Sequence, residues 1–314
     1  IGRGAAAVLT SSTGHKPRIL IGKDTRQSGD MLEAALTAGL CSVGADVESL
    51  GVVPTPAVAY LVRKYNADAG VVISASHNPM EFNGIKIFAG TGYKLPDEVE
   101  NKIEAYIDNQ CAGLKLATGD DVGRVTCCTD GIKDYTDHLY ESINGDLSGL
   151  NICIDCANGA SAAVARQLFP RLGAKCTFIG VEPDGKNINA GVGSTHLDNL
   201  EKAVVEGGFD CGIAFDGDAD RCLACDEKGQ EIDGDKVIAL LAMNMKEKGC
   251  LDGNTAVVTV MSNLGFIKFM ESQGIRTEKT AVGDRYVLEN MRENGYAIGG
   301  EQSGHVILLH HTTT

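Results

Sequence analysis

A run of β-branched residues, Val71 to Ile73, leads directly into the polar stretch Ser74-Ala75-Ser76-His77-Asn78-Pro79. A short apolar run that ends in turn-forming residues is typical of a buried strand. Open α/β sheets carry their chemistry in loops at the carboxyl ends of such strands. The stretch therefore predicts an α/β fold with a functional loop at Ser76.

The alternation of strand and helix patterns repeats along the chain in three rounds. The segments that resemble strands are residues 18–22, 45–50, 69–74 and 85–88, then 152–155, 175–179 and 209–215, then 256–260, 275–279 and 306–309. Helical patterns separate most of them, which implies right-handed crossovers and largely parallel sheets. We expect three successive α/β domains with mixed, largely parallel sheets, at residues 1–125, 126–230 and 231–314, the third of them incomplete.

The charge of the chain limits the kinds of partner it can bind. The 314 residues carry 42 acidic and 28 basic side chains, a formal net charge of −14. This balance argues against nucleic-acid or anionic-membrane surfaces as partners, although a local basic pocket could still bind an anionic small molecule. No apolar run approaches the roughly 18 residues of a membrane span, and no signal-peptide pattern is present. We therefore expect a cytoplasmic protein.

The eleven cysteines raise the question of a zinc site or a disulfide framework. Cys153 and Cys156 form one Cys-x-x-Cys pair, and Cys222 and Cys225 form another. Both pairs fall in predicted strands, where positions i and i+3 face opposite sides of the sheet. This placement disfavours zinc and favours reduced thiols in a cytosolic protein.

Ser76 has two interpretations. A serine before Asn78-Pro79 is commonly only a turn residue. However, Ser76 follows a strand, His77 adjoins it, and Lys86 lies on the strand predicted to return beside it. Histidine and lysine are residue types that accept a proton from a serine hydroxyl, so Ser76 is a candidate nucleophile.

Three carboxylates, Asp216, Asp218 and Asp220, follow the strand at 209–215. At this spacing they repel one another unless a cation lies among them. Oxygen ligands separated by small residues favour a hard divalent ion, Mg²⁺ before Zn²⁺. The segment therefore predicts a magnesium site.

The aspartate segment has three other interpretations. It could be a solvated acidic turn. An EF-hand is rejected, because Arg221 stands where the sharp turn needs glycine and strands rather than helices flank the loop. The aspartate nucleophile of a haloacid-dehalogenase-type phosphatase also follows a strand, but that interpretation leaves the serine motif unexplained.

Two later segments are candidates for substrate binding. Glu301, Ser303 and His305 lie in a loop, residues 300–305, whose carboxylate, hydroxyl and imidazole groups suit hydrogen bonds to sugar hydroxyls. Arg285 opens a helical pattern, where backbone N–H groups and a guanidinium could receive phosphate. An ordinary turn and a helix cap with a surface arginine are the simpler alternatives.

Taken together, these motifs resemble the α-D-phosphohexomutase superfamily, and most closely the bacterial phosphoglucosamine mutases. The resemblance covers essentially the whole chain, and the matching stretches are residues 73–79, 83–86, 216–221, 282–287 and 300–305. The Glu-Gln-Ser-Gly-His and Val-Gly-Asp-Arg-Tyr-Val stretches favour glucosamine phosphate over glucose or mannose phosphate. A phosphomannomutase or phosphoglucomutase of the same superfamily is the alternative, and a non-catalytic fragment that binds phosphosugar and metal is another.

The resemblance implies a role for each candidate residue. Ser76 matches the residue that carries a phosphoryl group, and Asp216, Asp218 and Asp220 match ligands of Mg²⁺, completed by a phosphoserine oxygen. His77 and Lys86 match groups that handle protons or stabilise charge, and Arg221 could do the latter. Glu301, Ser303 and His305 match the sugar-binding loop, with Arg285 a further substrate contact. The implied reaction converts glucosamine 6-phosphate, a hexosamine phosphate, to glucosamine 1-phosphate through a 1,6-bisphosphate, in a monomer or a homodimer.

Two stretches of the family pattern are not in this sequence. One is an N-terminal Gly-Thr-x-Gly-x-Arg-Gly stretch, and the other is a fourth, C-terminal domain whose Arg-x-Ser-Gly-Thr-Glu-Pro loop binds the distal phosphate. Compared with the family, the chain is therefore expected to be truncated at both ends. A polypeptide of these residues alone is expected to have little or no mutase activity, because the reorienting intermediate would lose that phosphate contact.

Overall fold

The strand that precedes Ser76 is buried at every position, and it lies near the centre of the first of three sheets. The computed structural model describes residues 1–9 and 14–314. Its first unit contains α1 (Gly2–Leu9), β1 (Arg18–Lys23), α2 (Ser28–Cys41), β2 (Asp46–Val52), α3 (Thr55–Lys64), β3 (Ala69–Ile73), β4 (Ile85–Ala89), α4 (Asp97–Asp108) and β5 (Val125–Cys127). The strand order is β4-β3-β1-β2-β5, and β4 alone of these five strands is antiparallel to its neighbour.

Close packing of α3 on this sheet fixes the position of β3. The apolar face of α3 is buried against the strands, and Gly70 in β3 leaves room for it. A Cβ added at Gly70 would come within 2.4 Å of the Val62 side chain and 2.8 Å of Val58. The absence of a side chain at Gly70 thus allows the helix to approach the strand that leads to Ser76.

The second unit repeats the alternation of strands and helices and has one more antiparallel strand. Its elements are α5 (Gly131–Glu141), β6 (Asn151–Asp155), α6 (Ala162–Arg171), β7 (Lys175–Ile179), α7 (Asp198–Gly207), β8 (Cys211–Phe215), β9 (Cys222–Asp226) and β10 (Glu231–Ile232). The order is β10-β9-β8-β6-β7, in which β7, β6 and β8 are parallel. The aspartate segment is the turn between β8 and β9.

The third unit is a four-stranded sheet flanked by three helices. Its elements are α8 (Gly234–Glu247), β11 (Thr255–Thr259), α9 (Leu264–Ser272), β12 (Arg276–Thr280), α10 (Asp284–Asn294), β13 (Ile298–Gly300) and β14 (Val306–Leu308). The order is β12-β11-β13-β14, with β14 antiparallel to β13. Single-turn 3₁₀ helices lie at Gly119–Asp121 and Asp252–Asn254. Residues 301–305 connect β13 to β14.

The predicted fold class, three α/β domains with mixed and largely parallel sheets, is confirmed. The sheets run slightly beyond the boundaries predicted at residues 125 and 230. Strand β5 pairs with β2 as far as Cys127, and β10 pairs with β9 as far as Ile232. Both strands are very short, with three and two residues, so they carry too few residues for a recognisable strand pattern.

Two helices were not predicted, α1 and α5. Helix α1 has only eight residues, and it packs against α2 and α4 through buried Ala5 and Ala6. Helix α5 has few apolar residues and contacts both α3 and α6. Tertiary packing rather than local pattern stabilises such helices. None of the helices in the described part of the chain meets the length and hydropathy that a bilayer span requires.

The cysteine pairs differ from expectation at one position. Strand β6 ends at Asp155, so Cys156 follows the strand instead of lying within it. Cys153 and Cys156 nevertheless belong to different apolar clusters on the two sides of the second sheet. Cys222 and Cys225 both lie in β9, as predicted.

Candidate functional site

The loop after β3 and the loop after β8 meet, although their contacting residues are 140 positions apart in the sequence. Ser76 Oγ donates a hydrogen bond of 2.5 Å to Asp216 Oδ2. Each loop begins at the carboxyl end of a central strand, where an α/β sheet leaves space for a ligand. The structure therefore brings together the two motifs that the sequence presented separately.

The three aspartates form a compact, buried group. Asp216 and Asp218 are 0% and 1% exposed, and one carboxylate oxygen from each of Asp216, Asp218 and Asp220 lies within 4.8 Å of the others. Two oxygens of this group, Asp218 Oδ1 and Asp220 Oδ1, are buried without a hydrogen-bond partner among the described residues. A buried acceptor without a partner is costly, and such a set of oxygens is the kind that a hard divalent cation binds.

The electrostatics of the group point the same way. Burial, together with the charges of Asp218 and Asp220, raises the pKa of Asp216 well above the usual range of an aspartate. Like charges held this close disfavour full ionisation, and a divalent cation among them would relieve the repulsion. The residues present therefore fit a divalent metal site.

Lys86 lies on β4, opposite Val72 of β3, and its ammonium group faces the aspartates. Lys86 Nζ donates to Asp218 Oδ2 at 2.6 Å and to Asp220 Oδ2 at 2.8 Å. Burial alone would lower the pKa of Lys86, but the two carboxylates outweigh it and raise the pKa. The same contact, against the effect of burial, holds the pKa of Asp220 below its usual range. Lys86 is thus a fixed positive charge in this site.

His77 and Arg221 complete the polar surroundings of Ser76. His77 Nδ1 lies 3.4 Å from Ser76 Oγ. Burial, and after it the charge of Arg221, lower the pKa of His77. The backbone N–H of Arg221 donates to Asp216 Oδ1 at 3.1 Å.

The loop at residues 301–305 reaches the aspartates from the third unit. His305 is 4% exposed, and its ring lies between two carboxylates, with Nδ1 3.9 Å from Asp220 Oδ1 and Nε2 3.7 Å from Asp284 Oδ2. Glu301 Oε1 accepts a hydrogen bond of 3.1 Å from the backbone of Gly283. Ser303 is exposed. His305 therefore lies beside the aspartates, and Glu301 lies beside the start of α10.

Arg285 is placed differently from the other candidates. Its guanidinium forms an ion pair with Asp97 of the first unit and donates to Glu289 Oε1 at 2.9 Å. Beside it, Lys94 forms an ion pair with Asp284. Hydrogen bonds to Glu289 and Asp97 raise the pKa of Arg285. In this arrangement the carboxylates of Asp97 and Glu289 bind the Arg285 guanidinium, which was predicted to bind substrate.

Sequence reasoning missed four polar residues that contact the site. Thr55 Oγ1 donates to Asp218 Oδ2 at 2.5 Å, Arg26 and Asn189 hold the Ser76 loop, and Lys94 binds Asp284. Thr55 follows β2, Arg26 follows β1 and Asn189 follows β7. The expectation that functional residues lie in loops at the carboxyl ends of strands, which pointed to Ser76, therefore applies to these three residues as well. Lys94 follows an antiparallel strand and carries no comparable signal.

The chain matches known protein families over almost its whole length. Residues 1–112, 133–229 and 233–314 match families described as phosphoglucomutase/phosphomannomutase alpha/beta/alpha domains I, II and III, respectively.

Two curated proteins and one solved structure illustrate the similarity. A protein of Acetivibrio thermocellus named "Phosphoglucosamine mutase" is 57% identical over 314 residues, which are 100% of this chain and 70% of the relative. A protein of Clostridium tetani with the same name is 56% identical with the same coverage. The crystal structure of a phosphoglucomutase/phosphomannomutase family protein from Burkholderia thailandensis superimposes with a TM-score of 0.83 at 25% identity, covering 98% of this chain and 67% of that one.

Proposed function

The chain belongs to the phosphoglucomutase/phosphomannomutase family, and from that premise we propose that it interconverts glucosamine 6-phosphate and glucosamine 1-phosphate. The observation that carries the proposal is the 2.5 Å contact between Ser76 Oγ and Asp216 within a buried group of three carboxylates. A hydroxyl in that position can carry a phosphoryl group whose oxygen joins Asp216, Asp218 and Asp220 as a metal ligand.

We propose Mg²⁺ as the metal, because carboxylates and a phosphate oxygen are the ligands that this ion prefers. When bound, it would offset the negative charge of a phosphoryl group in transit. Lys86 and Arg221 add positive charge on the protein side, and His77 is the proposed proton-handling group beside Ser76. Glu301, Ser303 and His305 are proposed to bind the sugar, and Arg285 its phosphate once it leaves Asp97.

The proposed reaction has two transfers and consumes no co-reactant. In the first, the C1 hydroxyl of glucosamine 6-phosphate gives its proton to a base and forms a P–O bond, while the Ser76 Oγ–P bond breaks and Ser76 Oγ takes up a proton. The resulting 1,6-bisphosphate turns in the cleft. In the second, Ser76 Oγ gives up its proton and forms a bond to the 6-phosphorus, while the C6 O–P bond breaks and the C6 oxygen takes up a proton. Glucosamine 1-phosphate then leaves.

The choice of sugar rests on the curated relatives, which are named phosphoglucosamine mutases at 54–57% identity. The alternative is a phosphomannomutase or phosphoglucomutase of the same family. The ratio of kcat/KM for the 6-phosphates of glucosamine, glucose and mannose, measured on a polypeptide that turns over, decides between them. A cytoplasmic location is proposed because the cysteines are free thiols.

The half-reaction tests the proposal on the chain itself, which spans 70% of the length of its curated relatives. The protein is incubated with glucosamine 1,6-bisphosphate and Mg²⁺, and its intact mass is measured. We expect the mass of one phosphoryl group to be added to the wild type and to the control Ser272→Ala, whose hydroxyl lies on α9, but not to Ser76→Ala. A wild type that gains no phosphoryl group, or a gain that persists in Ser76→Ala, contradicts the proposal.

A further inference from the structure

The buried guanidinium of Arg26 binds the backbone of the loop that contains Ser76. Arg26 follows β1, and its side chain is fully buried. All five of its N–H groups donate hydrogen bonds, one from Nε to Asp24 Oδ2 at 2.8 Å and the other four to backbone carbonyls. Those four carbonyls belong to one loop, and they are Ser76, Asn78, Pro79 and Phe82.

Asp24 ties this guanidinium to the strand end as well as to the loop. Its carboxylate accepts from the Arg26 backbone at 2.9 Å and from Ser74 Oγ at 2.6 Å. Ser74 Oγ in turn accepts from the backbone N–H of Ser76 at 2.9 Å. The N–H and the C=O of Ser76 are therefore both fixed by the pair Asp24–Arg26, directly or through one hydroxyl.

The second unit also binds two of these carbonyls, those of Ser76 and Asn78. Asn189, in the loop after β7, donates from Nδ2 to Ser76 O at 2.9 Å and to Asn78 O at 3.2 Å. The metal loop approaches this point too, since a Cβ added at Gly217 would lie 2.7 Å from Ser76 O and 2.8 Å from Asn189 Nδ2. One carbonyl oxygen of the Ser76 loop is thus the meeting point of Arg26, Asn189 and the aspartate loop.

The backbone at Ser76 requires such support. Its φ is +55°, a left-handed conformation that is unfavourable for a residue other than glycine. This conformation directs Oγ to Asp216 Oδ2, and strained residues persist only where the surroundings fix them.

We propose that Arg26 and Asn189 are positioning residues, which hold Ser76 against the aspartates by binding the backbone carbonyls of Ser76 and Asn78. This inference rests on the proposed role of Ser76 as the phosphoryl carrier. Neither side chain has to contact the sugar or its phosphates. Loss of either therefore slows the transfer step itself and leaves the concentration of substrate needed for half-saturation nearly unchanged.

The test compares Arg26→Lys and Asn189→Ala with a matched control, Arg18→Lys. Arg18 also binds a carboxylate, Glu48, and a backbone carbonyl, Tyr65, but those partners lie outside the Ser76 loop. Lysine keeps the charge and loses the planar fork that serves several carbonyls at once. The rate of Ser76 phosphorylation by glucosamine 1,6-bisphosphate is measured at increasing bisphosphate, with hydrogen exchange of the amides at residues 76–82 as a second readout.

We expect the maximal rate to fall about 100-fold in Arg26→Lys and about tenfold in Asn189→Ala, because small misplacements of a reacting group have effects of this size. The half-saturating concentration should change less than about threefold, and the loop amides should exchange faster than in Arg18→Lys. If both variants fold and react at the rate of Arg18→Lys, the inference is wrong. If Arg26→Lys does not fold, Asn189→Ala decides by the same criteria.

Failure of the proposed function looks different. If the wild type accepts no phosphoryl group, the role of Ser76 is wrong, and hydrogen exchange alone then tests the positioning. Protection of residues 76–82 that is unchanged in both variants overturns the inference in that case. Faster exchange in both, with exchange unchanged in Arg18→Lys, supports it.

Discussion

The first unit contacts its two neighbours in different ways. Toward the second unit, several of its contacts end on the buried aspartate group: Thr55 and Ser76 donate hydrogen bonds of 2.5 Å to Asp218 and Asp216, and Lys86 forms ion pairs with Asp218 and Asp220. Toward the third unit, the charged contacts are ion pairs at the start of α10. There the side chains of Arg285 and Asp97 are 30% and 72% exposed.

This difference separates the proposed phosphoryl-transfer site from the proposed sugar-binding loop. Buried hydrogen bonds lie in a medium of low dielectric constant, so they are strong and impose a fixed geometry. Exposed ion pairs contribute little stability and are screened by salt. We therefore expect the serine and the aspartates to be preorganised, whereas the contact with the third unit can exchange its partners when a charged substrate binds.

The largest effect is expected from the aspartates. Asp216→Asn keeps the shape of the side chain but removes a charge from the proposed metal site, so the rate of Ser76 phosphorylation should fall on the order of 10³-fold. Asp226→Asn, at the end of β9, is the control, since its carboxylate accepts turn hydrogen bonds from the backbone N–H groups of Lys228 and Gln230. Rapid-quench labelling measures both. A rate for Asp216→Asn within about threefold of the control would show that the aspartates do not act on Ser76.

Gly217→Ala tests whether the two loops must approach as closely as they do. The added Cβ would lie 2.7 Å from Ser76 O, which neither backbone can accept without moving. We expect phosphorylation to slow about 100-fold. In the control Gly14→Ala, the added Cβ meets no atom of residues 1–9 or 16–314 within 4 Å. Equal rates for the two variants would mean that the junction tolerates a shift, against the preorganisation inferred above.

Lys94→Ala probes the contact with the third unit. Although burial opposes it, the Lys94 ammonium helps to hold the pKa of Asp284 below its usual range, and Asp284 lies 3.7 Å from His305 Nε2. Removing Lys94 should raise the half-saturating bisphosphate concentration about threefold and leave the maximal rate nearly unchanged. Lys102→Ala, on the exposed face of α4, is the control. A large loss of maximal rate in Lys94→Ala that Lys102→Ala does not show would mean that the contact with the third unit is also preorganised.

Arg285→Ala should have the smallest effect on stability. Its ion pairs with Asp97 and Glu289 are partly exposed, so the free energy of unfolding should change by less than about 1 kcal/mol. Urea unfolding of Arg285→Ala and of Asp97→Asn, compared with the wild type, measures this free energy. A loss of more than about 2 kcal/mol in the free energy of unfolding would show that this contact contributes as much as a buried ion pair.

The sequence predicted the parts of the site that are local. Ser76, His77 and the three aspartates stand in short motifs directly after apolar strands, so the strand pattern alone locates them. The conformation that unites them depends on residues far away in the chain. Arg26 and Asn189 are 50 and 113 positions from Ser76, and no spacing rule in one sequence links them to it.

The partners of charged residues were also beyond the sequence. Lys86 was a candidate proton acceptor, but the carboxylates that raise its pKa are more than 130 residues away. Arg285 was expected to face a phosphate, and in the structure it faces Asp97, 188 positions earlier. Local pattern identifies a charged residue at a loop or a helix start, whereas its partner is set by the packing of whole units.

We propose that Ser76 and the aspartates act together as a metal-dependent phosphoryl carrier. The most direct test is to incubate the chain with glucosamine 1,6-bisphosphate, with Mg²⁺ or with EDTA, and to map phosphate by tandem mass spectrometry of the peptide that contains Ser76. We expect phosphate on Ser76 with Mg²⁺ and a rate on the order of 10³-fold lower with EDTA. Phosphate on another residue, or the same rate in EDTA, would contradict it.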